Sequence, residues 1–119
     1  MALDFHITRA KAWESDPDPI TIEEIDELSY ELPIGFQIDW EGVVEVRTPY
    51  GVSTEQLGPC VFYQDPYQPN NRTYIRFQGE VPTFTLEETS ALLPYLELAD
   101  LLHAQIQDDD GMCYTEADI

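Results

Sequence analysis

The sequence predicts an α+β fold, an antiparallel β-sheet with one or two helices packed on one face. Three observations lead there. Short stretches of period-two alternation recur along the chain, separated by glycine, proline and aspartate turn signals. Two Thr-x-x-Glu starts, at Thr21 and Thr85, each open an apolar run of helical spacing. The resulting order of strand, helix, several strands, helix and terminal strands is that of an α+β chain.

Leu3-Asp4-Phe5-His6-Ile7-Thr8-Arg9 alternates, so Leu3, Phe5 and Ile7 share one face of a first strand. Ser15-Asp16-Pro17-Asp18-Pro19 is a loop, because each proline biases its predecessor out of the helical region. In Thr21-Ile22-Glu23-Glu24 the threonine oxygen can accept from the third helical N–H while Glu24 reaches back, a capping box. The helix that follows buries Ile22, Ile25, Leu28 and Leu32, exposes Glu23, Glu24, Asp26 and Glu27, and ends at Pro33. Residues 36–40 and 43–48 read as a hairpin around Glu41-Gly42, and Pro49-Tyr50-Gly51 begins an irregular stretch. Cys60-Val61-Phe62-Tyr63 is a strand, and residues 65–71 form a long turn-rich loop. Residues 72–77 alternate again, with Tyr74 and Arg76 facing one way and Thr73, Ile75 and Phe77 the other.

The second capping box, Thr85-Leu86-Glu87-Glu88, is expected to open a longer helix. Its buried stripe is Leu86, Leu93, Leu96 and Leu102, with Ser90 and Ala99. Pro94 inside that run predicts a kink, or two abutting helices with Pro94 in the first turn of the second. Alternation returns at residues 104–107 and 112–115 on either side of Asp108-Asp109-Asp110-Gly111, a C-terminal hairpin whose Asp-Gly supplies the turn.

A chain of 119 residues reads as a single domain, 1–119. Its 43% apolar content, with two Trp, seven Tyr and five Phe, supports a packed core rather than acidic disorder. The net charge of −19 comes from 24 acids against five Lys and Arg. Direct binding to nucleic acid or to an anionic membrane surface is not expected, since both need basic surface. A cationic protein partner would be steered in rapidly and in a salt-sensitive way. Residues 1–13 alternate rather than forming an apolar signal core, and no apolar run approaches a membrane span. The expectation is a cytoplasmic protein with Cys60 and Cys113 as reduced, buried thiols, one disulfide being the alternative that their spacing leaves open.

No motif carries chemistry. An EF-hand frame with Gly111 in the sixth slot puts Ile106 first and Ala117 twelfth, where oxygen ligands are required. His6, His103, Cys60 and Cys113 lack short ligand spacing for zinc, and His103 is placed at a helix C-terminus. No nucleophile elbow or glycine-rich phosphate loop is present. Neither an enzyme, a cofactor, a metal nor a small-molecule ligand is expected. The candidate sites are surfaces for a partner: the acids Glu23, Glu24, Asp26 and Glu27 of the first helix, and Asp108, Asp109 and Asp110 of the terminal turn. Trp13, Tyr63 and Tyr67 are candidate aromatic anchors, and Trp40 fits either an anchor or the core.

Both ends of the chain resemble a group of small, acidic cytoplasmic bacterial proteins. The resemblance rests on the opening strand Leu3-Asp4-Phe5-His6-Ile7-Thr8-Arg9-Ala10, on Trp13, and on the helix start Ile20-Thr21-Ile22-Glu23-Glu24. It continues at Gly58-Pro59 and in the closing turn Asp109-Asp110-Gly111 before Tyr114. It covers about half the chain and departs from the pattern over residues 32–57. Such proteins resemble immunity proteins of type VI secretion and Rhs polymorphic toxins. The resemblance implies an antitoxin that occludes a cognate toxin with a basic surface, a nuclease being the natural target. The alternative reading of the same charge is a phage-type DNA mimic or anti-CRISPR inhibitor of a nucleic-acid-binding protein.

Overall fold

The structure, a computed structural model, describes residues 2–67, 72–77 and 81–119. Its strands are β1 (Leu3–Thr8), β2 (Phe36–Asp39), β3 (Val43–Thr48), β4 (Gly51–Gln56), β5 (Cys60–Gln64), β6 (Arg72–Arg76), β7 (Thr83–Leu86), β8 (Gln105–Asp108) and β9 (Cys113–Tyr114). Its helices are α1 (Ile22–Glu27) and α2 (Leu93–Leu101). Seven strands form one antiparallel sheet in the order β2-β5-β6-β7-β1-β8-β9, while β3 and β4 pair only with each other. The fold is α+β, as the alternation and helix starts predict. Among the described residues no helix is long and apolar enough to cross a membrane.

One sheet face carries the core. Phe5, Ile7, Phe36, Val61, Ile75, Phe84 and Ile106 meet Ile22 and Ile25 of α1 and Tyr95, Leu98 and Ala99 of α2. Tyr95 is its centre, stacked on Phe84 with ring centroids 4.2 Å apart and edge-on to Phe36 at 5.4 Å.

The opposite face of β1 is also covered, which alternation alone does not reveal. His6 and Thr8 are buried beneath residues 10–16, which cross this face as a strap. The Trp13 indole lies flat on the His6 ring, 3.6 Å away. Thr8 donates its hydroxyl to Asp16, and Trp13 donates its backbone N–H to Gln107, whose amide in turn donates to the Lys11 carbonyl. Gln105 donates to the Ala10 carbonyl. Polar side chains of β1 and β8 can be buried here because the strap's backbone satisfies them.

Three local expectations are corrected. The first helix stops at Glu27, not at Pro33. Thr21 does accept from the Glu24 N–H, but the Glu24 carboxylate pairs with Arg9 instead of closing the box. Leu28 and Leu32 still pack on the core as partly buried residues, reaching it from turns.

The second box does not start a helix, because Thr83–Leu86 is strand β7. Pairing Leu3 with Leu86 and Phe5 with Phe84 satisfies the ladder and buries both partners' apolar side chains, which outweighs a local cap signal. Helical structure begins later with a 3₁₀ turn, Thr89–Leu92, abutting α2 with Pro94 in its first turn. That is the second of the two arrangements Pro94 allows. The tighter 3₁₀ turn shifts the phase of the stripe. Leu92, Tyr95, Leu98, Ala99 and Leu102 are buried, while Leu93 and Ser90 are exposed and Leu96 is half-buried.

The third correction is topological. Residues 36–40 and 43–48 do not pair with each other. β2 pairs with β5, and β3 pairs with β4 around Pro49-Tyr50, in the stretch expected to be irregular. The pairing register is the same on both sides of the break, so β2–β3 and β4–β5 are the two legs of one long hairpin. Trp40-Glu41-Gly42 and Leu57-Gly58-Pro59 face each other where it bends.

Gly42 explains why the chain does not reverse at this point. Its φ is +61°, and a Cβ there would lie 1.7 Å from the Gly58 carbonyl oxygen. Asp39 accepts from the N–H groups of Glu41 and Gly42, and the Gly42 carbonyl accepts from Leu57 at 2.7 Å. The glycine braces two legs rather than turning one. Residues 68–71 of the expected loop lie outside the described residues.

Candidate functional site

The long hairpin positions the most conspicuous surface of the molecule. Beyond the bend, β3 and β4 run for six paired residues, about 20 Å at strand rise. Every residue of β4 is exposed, as are all of β3 except Val44. Paired residues of an antiparallel ladder share a face. Val44, Val46 and Thr48 therefore lie with Glu55, Ser53 and Gly51, and Val43, Glu45 and Arg47 lie with Gln56, Thr54 and Val52. Tyr50 at the tip is 99% exposed and Val52 63%. Trp40 at the bend is 49% exposed, so it is not a core residue.

Within residues 43–56 the charged side chains are Glu45, Arg47 and Glu55, a net of −1 against −19 for the chain. What sets the strip apart is its small net charge, together with exposed aromatic and branched side chains at Tyr50, Val43, Val46 and Val52. A two-stranded ribbon is marginal in water without further packing. The alternation of its strands does not single it out in the sequence. The usable signal was Thr48-Pro49-Tyr50-Gly51, a turn flanked on both sides by valine-bearing alternation.

At its base the ribbon leans over the helix-free sheet face. Val44, Glu55 and Leu57 oppose Arg72, Tyr74 and Arg76 across a cleft of about 310 Å³. Arg72 lies 4.5 Å above the Phe62 ring and donates to Gln64, while Arg76 donates to Thr85, which donates to Asp4.

The predicted acidic surfaces fall in two places. On α1, Glu23, Asp26 and Glu27 are exposed, and Glu24 is partly withdrawn by its pair with Arg9. In the terminal hairpin Gly111 has φ +85° and donates to the Asp108 carbonyl, so glycine does set the turn. Asp108 is occupied internally: one carboxylate oxygen accepts from the N–H groups of Asp110 and Met112, and the other accepts from the Tyr114 hydroxyl. Burial, followed by that bond to Asp108, raises the Tyr114 phenol above its ordinary value. Asp109 bonds His6 at 2.7 Å, and Asp110 is exposed.

The Thr83 hydroxyl lies within hydrogen-bond distance of both the Val81 carbonyl, at 3.0 Å, and His6 Nδ1, at 2.9 Å. The other ring nitrogen, Nε2, lies 2.7 Å from the Asp109 carboxylate.

The aromatic candidates separate. Tyr67 is 92% exposed. Tyr63 is partly buried against Phe36 and Tyr95, and Trp13 is half-buried in the strap with its indole N–H unpartnered. Of the cysteines, Cys60 is buried, with its thiol pushed up first by burial and then by Asp39. Cys113 is exposed, contrary to expectation, because β9 is the sheet's last strand. Both thiols are free. Among the described residues no three His, Cys, Asp or Glu side chains converge as metal ligands.

Comparison with protein-family models, with curated proteins and with solved structures finds no match for this chain.

Proposed function

We propose that this protein is a cytoplasmic immunity protein that binds and occludes a secreted antibacterial toxin with a basic surface, a nuclease cleft being the natural target. The observation that carries the reading is the juxtaposition of a largely exposed β-ribbon of small net charge with a strongly anionic body. The ribbon supplies exposed apolar side chains, Tyr50 at its tip, Val52 and Val43 on one face and Val46 on the other. The acids of α1 and the body supply long-range attraction for a cationic partner. A second copy of the chain would bring like charge against like charge, which disfavours self-association on the same surface. An inhibitor interface buries on the order of 1,600 Å², or about 20–30 residues on each side.

Co-expression with the toxin domain encoded beside this gene tests the reading, with restored growth and a direct complex at low salt as the expected result. Tyr50→Ala with Val52→Ser then weakens the complex at least about tenfold through faster dissociation, with the thermal midpoint unchanged. Glu23→Lys, Asp26→Lys and Glu27→Lys together slow association and flatten its salt dependence. Absence of a complex at low salt rejects the immunity reading. Competition with DNA for several unrelated basic proteins would assign the chain to DNA mimicry instead.

A further inference from the structure

The outer edge of the ribbon carries a pattern that its faces do not. The Gly42 carbonyl accepts from the Leu57 N–H, and Thr48 opposite Gly51 closes a two-residue turn. Bonded and non-bonded pairs alternate along an antiparallel ladder. Gly42, Val44, Val46 and Thr48 therefore turn their backbone groups inward to β4, and Val43, Glu45 and Arg47 turn theirs outward. β3 pairs with β4 alone, and among the described residues none of those outward N–H and C=O groups has a partner in the chain. The register of β3 runs without a bulge or a proline, two of the devices that close such an edge to pairing. Charge, a third device, is present only as Glu45 and Arg47, one of each sign and two positions apart.

That spacing is self-complementary. A second copy laid antiparallel along the outer edge must set outward residue against outward residue. In the register centred on Val46, Glu45 of each copy lies opposite Arg47 of the other, and the two Val46 residues meet at the two-fold axis. Both Glu45–Arg47 pairs are of the bonded kind, which exchange two N–H···O bonds each. Centring on Glu45 or on Arg47 instead sets like charge against like. The outer edge of β4 offers no such match: centred on Thr54, it sets Val52 against Gln56. The Val46 register also brings Tyr50 at the tip of one copy level with Gly42 of the other, two positions from Trp40. One arrangement thus accounts for three exposed apolar side chains, Trp40, Val46 and Tyr50.

We propose that β3 is a self-association edge, through which two copies of the chain pair antiparallel about a two-fold axis at Val46. The result is a four-stranded sheet in the order β4-β3-β3-β4, an isologous contact that relieves the marginal stability of a two-stranded ribbon. It occupies the edge, leaves both ribbon faces bare, and does not depend on the immunity reading. Like charge on the two bodies opposes the pairing, and distance limits that opposition. The tip of one ribbon ends at the bend of the other, so the two Gly42 bends stand eight positions apart (42 to 50), about 26 Å at strand rise. That is more than twice the screening length of about 10 Å at 0.1 M salt. The dimer therefore strengthens with salt, where a complex with a basic partner weakens.

Sedimentation velocity of the full chain, from about 10 µM to about 1 mM and in about 20 and about 150 mM NaCl, tests the assignment. A monomer–dimer equilibrium that moves toward dimer with concentration and with salt is expected. Glu45→Arg and Arg47→Glu, each alone, weaken the dimer at least about fivefold by setting like charges opposite each other. Mixing those two variants restores it, because each then faces its complement. In a Cys113→Ser background, Val46→Cys closes an intermolecular disulfide on mild oxidation, since opposed residues at the axis have Cα atoms about 4.5 Å apart. Val52→Cys in the same background, more exposed but on the other strand, does not.

A chain that stays monomeric throughout, mixed variants no better than either alone, or equal cross-linking at Val52 overturns the proposal. Cross-linking of Val46→Cys to a toxin in place of a second copy assigns the edge to a strand of that partner and overturns it as well. A dimer without any toxin complex would reject the immunity reading alone, and a toxin complex of a strictly monomeric chain would reject the dimer alone.

Discussion

His103 occupies a position built for glycine. It follows α2 with φ +55°, its N–H bonds the Asp100 carbonyl, and the next N–H, of Ala104, bonds Ala99. Those two bonds define a Schellman end, whose left-handed residue carries a Cβ penalty unless it is glycine. His103→Gly should stabilise the domain by about 0.5–1 kcal/mol, read as a higher urea midpoint with an unchanged slope. Tyr95 makes a second prediction. Burial pushes its phenol from the ordinary 10 up to about 12. Below pH 10 folded and unfolded chains both keep this proton, so it adds no pH dependence there. Between pH 10 and about 12 only the unfolded chain ionises, so stability falls as pH rises, by about 2–3 kcal/mol over the window. Tyr63 and Tyr114, raised first by burial, act in the same direction. In Tyr95→Phe, denaturation curves between pH 9 and 12 should lose most of that slope.

Among the elements, the ribbon depends on its base more than on its tip. A Cβ at Gly42 would collide with the Gly58 backbone, while at Gly51 it would meet nothing within 4 Å. Gly42→Ala should therefore cost about 3 kcal/mol or more, because strain at positive φ adds to a backbone clash that no rotamer relieves. The loss should appear in the global midpoint, since the bend abuts the β2–β5 edge. Gly51→Ala, also at positive φ, should reduce hydrogen-exchange protection in β3 and β4 alone and leave the global midpoint in place. Elements were legible in the sequence where their signals are local. The terminal hairpin with its Asp-Gly turn, the Thr21 cap and the Pro94 break all lie within about ten residues of what they determine. Thr85-Glu88 was misleading, because a valid cap signal there lost to a ladder with Leu3 and Asp4 more than eighty positions away.

Charge dominates at the scale of the whole molecule. Twenty-four acids face five Lys and Arg, and among the described residues Arg9 pairs with Glu24. Mutual repulsion among exposed carboxylates destabilises the compact state and is screened within about 10 Å at 0.1 M salt. Raising NaCl from about 20 mM to about 300 mM should lift the thermal midpoint by roughly 4 °C, equivalent to about 1 kcal/mol. A midpoint independent of salt would mean that the acids are spaced too widely to interact. The same screening should weaken association with any basic partner, so stability and binding should respond to salt with opposite signs.

By itself the sequence determined the fold class, the sign and size of the surface charge, and the short-range devices at Thr21, Pro94 and Gly111. Each rests on propensity, composition or turn chemistry contained in one short segment. Only the tertiary structure decided that residues 36–64 form one interrupted hairpin and that Asp109 is held by His6. Those outcomes depend on which distant backbones meet, and two backbones meet at Gly42 and Gly58 because neither residue carries a Cβ to keep them apart. The acidic surface was legible from composition. The ribbon beside it was not, because exposed alternation on both faces of two strands looks locally like any other pair of strands until a sheet declines to cover it.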